Sequence, residues 1–206
     1  CFNYSIMALT LNGSNNTIGG LAVGGLPDGI VDTDMLASNA VATAKIADDA
    51  VSSAKLASGA ILQVVQGTRT SEFSTSSTSY VDLGLSASIT PLTNSKILAI
   101  VTVQAYLQSD DDEGFGMKLI RTPSGGSDAT VFTSATTSDV RGYTNFTGEH
   151  IRMYVRSSWD ILDSSVGGNG STAITYKVQV ANQTSSTIKY SDDGNLSSIT
   201  LWEVAG

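Results

Sequence analysis

The chain has 206 residues, 41% of them hydrophobic but only 7% aromatic, which is room for one ordinary domain plus an extension whose core rests on Val, Ile, Leu and Ala. With 19 acidic residues against 11 basic ones, the net charge of −8 argues against nucleic acid and anionic membranes as partners. Cys1 and His150 are the only residues of their types, so neither an intrachain disulfide nor a usual Cys/His zinc site is available, and no cofactor is expected.

The opening CFNYSIMALT has no positive n-region and no continuous apolar stretch, so it does not read as a signal peptide. No apolar run approaches the roughly 20 residues that span a bilayer, and membrane insertion is not expected. Cys1 has two readings: the lipid-bearing first residue of a bacterial surface lipoprotein adhesin, or part of a segment ahead of a natural start at Met7. MALTLNGSN favours the second. Residues 7–25 are glycine-rich, with apolar residues scattered singly, and residues 1–25 are expected to form an arm that orders against a partner.

Residues 26–61 follow as a stem. After the PDG turn at 27–29 come VDTDMLASNA from Val31, VATAKIADDA from Val41 and VSSAKLASGA from Val51. A fixed period marks a stacked unit, and one copy has too few apolar side chains to bury a core alone. Several chains winding together would solve this, with Leu36, Ala40, Val41, Ile46, Ala50, Val51, Leu56, Ala60 and Ile61 in the shared layers. Thr33, Thr43 or Ser53 could cap a single helical turn in each repeat. A period of ten fits no regular coiled coil, so short turns with extended links are expected. One continuous amphipathic helix over 33–58 is the competing reading.

From residue 62 the pattern alternates with period two between turn clusters. It predicts strands at 62–67, 79–89, 96–107, 115–122, 130–133, 150–157, 173–181, 187–190 and 198–204. ILAIVTVQAYL at 97–107 is the most apolar run and should be a central strand. The expected fold class is all-β: an antiparallel, jelly-roll-like β-sandwich head over 62–206, preceded by the interwound stem.

The string LPDGIVDTDMLASNAVATAKIADDAVSSAKLASGAILQVVQ, with SKILAIVTV after it and MALTLNGSNNTIGGLAVGGLPDGI before it, resembles tail-fibre and appendage proteins of marine and cyanobacterial phages. The resemblance is close over the arm, the repeats and the first strands, and general over the later strands. It implies a homotrimeric virion fibre on the particle surface, whose arm attaches to phage tail or capsid proteins and whose head faces a host cell-surface glycan or protein. The short stem departs from long tail fibres and leaves open a head fibre or a capsid decoration protein without receptor binding. The family carries no shared catalytic motif.

RGYTNFTGEH at 141–150 supplies the candidate receptor contacts Arg141, Tyr143, Asn145 and Phe146, because aromatic and amide side chains in loops grip sugars by stacking and hydrogen bonding. Trp159 is added to that set, with burial the favoured alternative. The acidic run Asp110, Asp111, Asp112 and Glu113 is a weak Ca²⁺ candidate that reads more simply as a solvated hairpin tip. Asp192-Asp193-Gly194 raises the same question and reads as a turn. An enzyme is not expected. Glu149, Asp160 and Asp163 could only pair as glycosidase carboxylates if they faced one sugar, and His150 lacks the elbow of a Ser–His–Asp site. The N-x-S/T triplets starting at Asn3, Asn12, Asn15, Asn145, Asn169, Asn182 and Asn195 are attributed to composition.

Overall fold

Short alternating runs between Gly/Asp/Ser turns can bury apolar surface only by pairing edge to edge and stacking face to face. The computed structural model does this, and describes residues 10–12, 17–19, 41, 46, 51, 52, 55–109, 113–134, 140–142 and 151–206. The chain divides into two units, Cys1–Val51 and Ser52–Gly206. In the first, β1 (Thr10–Asn12) pairs antiparallel with β2 (Thr17–Gly19), setting Leu11 opposite Ile18. Scattered apolar residues gave no sign of this pair. Most of the predicted stem, including Leu36, Ala40 and Ala50, lies outside the described residues.

The second unit is the antiparallel two-sheet sandwich expected of the head. Its strands are β3 (Ile61–Arg69), β4 (Phe73–Thr75), β5 (Val81–Ile89), β6 (Lys96–Ser109), β7 (Glu113–Pro123), β8 (Ala129–Thr133), β9 (Val140–Gly142), β10 (Ile151–Asp163), β11 (Ile174–Asn182), β12 (Ile188–Tyr190) and β13 (Ser197–Val204). The larger sheet runs β3-β13-β6-β12-β4, with β10 along the other edge of β6; the smaller runs β5-β11-β7-β8, with β9 also on β7. Of the ten connections from β3 to β13, six cross from one sheet to the other, including those that flank β5, β6 and β10 on both sides, and four stay within a sheet.

VDLGLSASI in β5 shows the mechanism: Leu83, Leu85, Ala87 and Ile89 point inward and are buried, while the residues between them are exposed. Ile97, Ala99, Val101, Val103 and Ala105 of β6, Phe115, Met117 and Leu119 of β7, and Val178 and Val180 of β11 complete the same core. Gly67 is required where β3 crosses β5. A Cβ there would lie 1.9 Å from the Ser86 carbonyl oxygen.

Three expectations need correction. β10 does not stop at residue 157 but runs to Asp163, because Ser157 and Ser158 keep the alternation and pair with Val103 and Thr102. β4 and β9 were not predicted, since three residues are too few to show a period. Glu113 is not part of a solvated tip: it opens β7 and is buried. Asp110, Asp111 and Asp112 lie outside the described residues.

Candidate functional site

The strand registers sort the connections of the sandwich into two ends. At the basal end Val204 pairs with Ile61 and Lys96, Asp163 with Ile97, and Ile174 with both Ile89 and Pro123. At the distal end Ile151 pairs with Ser109, and Glu113 with Gly142. The four strand ends that bound residues 110–112 and 143–150 therefore lie at one end of the sandwich, two in each sheet. In sequence, the acidic run and the Tyr143, Asn145 and Phe146 segment fall between these strand ends. The three loop residues themselves lie outside the described residues, as do Glu149 and His150; the backbone of Arg141 is in β9.

The floor of that end is built from satisfied polar groups. The buried Asn182 side chain donates from Nδ2 to the carbonyls of Thr75 and Ser186, at 2.7 and 2.8 Å, and its Oδ1 accepts from Tyr190 Oη. Ser134 Oγ accepts from the Met117 amide and bonds Tyr80 Oη at 3.1 Å. Burial pushes the Tyr190 phenol far above its usual range, and the charge of Glu113 adds to the effect.

Trp159 is not at this end. It sits mid-strand opposite Val101, half-buried against the core, with its ring edge-on to Phe115 at 6.2 Å between centroids. Of the carboxylates considered for glycoside chemistry, Asp160 and Asp163 do not face one another. Asp160 is exposed on the outer face of β10. Asp163 points into the space between sheets, where Arg121 and Tyr176 bind it. Among the described residues no cluster of His, Cys, Asp and Glu is placed to hold a metal ion.

The outer face near the distal end carries a cluster that the sequence did not reveal. Pairing of β10 with β6 puts Tyr154 beside Tyr106, rings 4.9 Å apart, with Tyr154 exposed. Its hydroxyl donates to Asp193 at 2.9 Å and to Asp192 at 3.3 Å. The hydrogen bond to Asp193, followed by desolvation, pushes the Tyr154 phenol up to about 12. Lys189 binds Glu72 at 3.0 Å and lies 3.6 Å from Asp192. That contact holds Glu72 below the usual carboxylate range and raises Lys189. An exposed ring among carboxylates can stack on a sugar and accept bonds from its hydroxyls. Only the strand pairing brings Tyr106, Tyr154 and Asp192-Asp193 together from distant points in the sequence.

No family model matches the chain, and no curated protein does. Among solved structures it is similar to that of the infectious bursal disease virus Gx strain, at 16% identity and a TM-score of 0.44, over 70% of this chain and 32% of that one. It is also similar to a mutant VP2 protein of that virus in derived T=1 particles, at 16% identity, TM-score 0.34, over 69% of this chain and 36% of that one. A third similarity is to the Gt strain, at 17% identity, TM-score 0.32, with 72% and 38% covered. The chain thus spans about a third of each of these chains, and similarity at this level supports no functional inference.

Proposed function

We propose that the protein is a non-enzymatic structural component of a bacteriophage particle. It is a homotrimeric fibre joined through its repeat stem, held to tail or capsid proteins by residues 1–25, and presenting the distal end of its sandwich to a host-surface glycan. One observation carries the self-association. Val41, Ile46, Val51, Leu56 and Ile61, spaced five residues apart, are each between 42% and 56% exposed in the single chain. Isolated exposed apolar residues are ordinary, but a regular series at half the repeat length is what a shared seam requires. The threefold count comes from the resemblance to phage fibres. Three heads on one stem would raise weak per-site glycan affinity through effective concentration.

The test is the native mass of the full chain by light scattering, beside that of Ile46→Asp. A mass three times the chain's, lost on placing a carboxylate in the seam, is the expected result. A monomeric parent chain, or an Ile46→Asp protein of unchanged mass and stability, would sink the shared-seam reading. Adsorption to host cells then separates a receptor-binding fibre from a decoration protein.

A further inference from the structure

An antiparallel sheet with one face in water should alternate apolar inward and polar outward. The distal half of the larger sheet obeys this, with Tyr154, Arg156 and Lys189 on its outer surface. The basal half does not. Register places Val64, Trp202, Leu98 and Leu162 in one row across β3, β13, β6 and β10, and Ile100 in the next row between Thr200 and Asp160. The register shift at the end of β13 then sets Ile61 opposite Val204, whose side chain shares this outer face, so Ile61 joins the same surface. Val64 and Leu162 are 54% and 57% exposed. Over rows that run from Lys96 to Thr102 of β6, only Lys96 and Asp160 are charged. Strands apolar on both faces are the mark of a sheet covered on both sides. Among the described residues only the inner side is covered.

We infer that this outer basal face packs against a second copy of the chain, so that neighbouring heads, and not the stem alone, form the assembly interface. The inference rests on the self-association proposed above. The occupant is argued from continuity: Ile61 is both the last member of the five-residue apolar series and a member of this face. Whatever covers the seam therefore arrives at the sheet beside it. The composition also fits an interface core, which is poor in charge and rich in aromatic and aliphatic residues.

The full chain tests this by covalent surface footprinting, with Tyr154 as the exposed reference, read beside its native mass. A multimer in which Val64, Leu162 and Trp202 label several-fold less than Tyr154 is expected. Val64→Lys/Leu162→Lys should raise the dissociation concentration at least about tenfold while leaving the circular dichroism of the head unchanged. Both positions are exposed in one copy, so folding does not depend on them. A multimer whose face labels as fully as Tyr154, or whose assembly ignores both lysines, overturns the head contact and leaves the stem reading standing. A monomer with a protected face means that the chain covers itself, and overturns both. A monomer with a free face also overturns both.

Discussion

Arg121 reaches across the space between the sheets to Asp163, its Nη1 standing 2.7 and 2.6 Å from the two carboxylate oxygens. Tyr176 donates to the same carboxylate at 2.8 Å and the Ser165 amide at 3.0 Å. The carboxylate is 5% exposed, and these partners satisfy both of its oxygens. An ion pair in this setting fastens two sheets without being a large net source of stability, because desolvation opposes the attraction.

Breaking the pair from one side is a different matter. Asp163→Ala leaves Arg121 partly buried without its counter-charge and should cost about 3 kcal/mol in denaturant unfolding. Tyr176→Phe, which removes one hydrogen bond to the carboxylate, should cost about 1 kcal/mol. A loss well under 1 kcal/mol for Asp163→Ala would show that the group does not fasten the sheets.

Gly67→Ala tests the crossing of β3 over β5. The new methyl would meet backbone, not a flexible side chain, so the strands must separate. A loss of at least about 2 kcal/mol is expected, read as a shift in denaturation midpoint. A variant as stable as the parent would mean that the two strands do not approach this closely.

The tyrosines give a pH prediction. Tyr154, Tyr176 and Tyr190 all have raised phenol pKa values, Tyr154 mainly through its bond to Asp193 and the other two mainly through burial. A raised folded-state value stabilises the protein fully below the unfolded value, about 10, and that stabilisation drains away as pH climbs through the folded one. Alkaline stability should therefore fall from about pH 10 upward. At about pH 11 these three phenols should be far less ionised in the folded protein than in the chain in denaturant. Tyr154→Phe should narrow the gap between the folded and denatured titrations, and a native titration that overlays the denatured one would refute the assignment.

Host attachment is tested at the distal end. Tyr143→Ala and Phe146→Ala should each weaken adsorption of the labelled protein to host cells about tenfold or more, with melting unchanged. Trp159→Ala should do the reverse, lowering stability by about 2 kcal/mol through lost packing on Phe115 while sparing adsorption per folded molecule. Equal adsorption by all three variants would remove the 143–150 segment from the contact.

Much of the sandwich was legible because its strands alternate: ITYKVQVAN and SSITLWEV each show one buried face in the sequence and in space. β10 was cut short because two serines look like a strand end when the partner strand is unknown. The triplets FST and VRG carry no period at all. ILAIVTVQAYL was recognised as central, yet its apolar outward residues, Leu98 and Ile100, gained meaning only beside Val64, Trp202 and Leu162. Tyr154 went unnoticed for a related reason. Its neighbours Tyr106, Asp192 and Asp193 are far away along the chain, and cross-strand register is not written in any local pattern.

The placement of β13 has a consequence for how the protein comes to be made. It lies between β3 and β6, and among the described residues it is the only partner of β3. During synthesis β3 is complete well over a hundred residues before Ser197–Val204 exist, since it ends at Arg69. Throughout that interval it waits as an unpaired strand beside an apolar seam, open to the same segment of any neighbouring nascent chain. Closure of the sheet is thus delayed until residues 197–204 have been made, and a ribosome that stops short of them releases a chain that cannot shut.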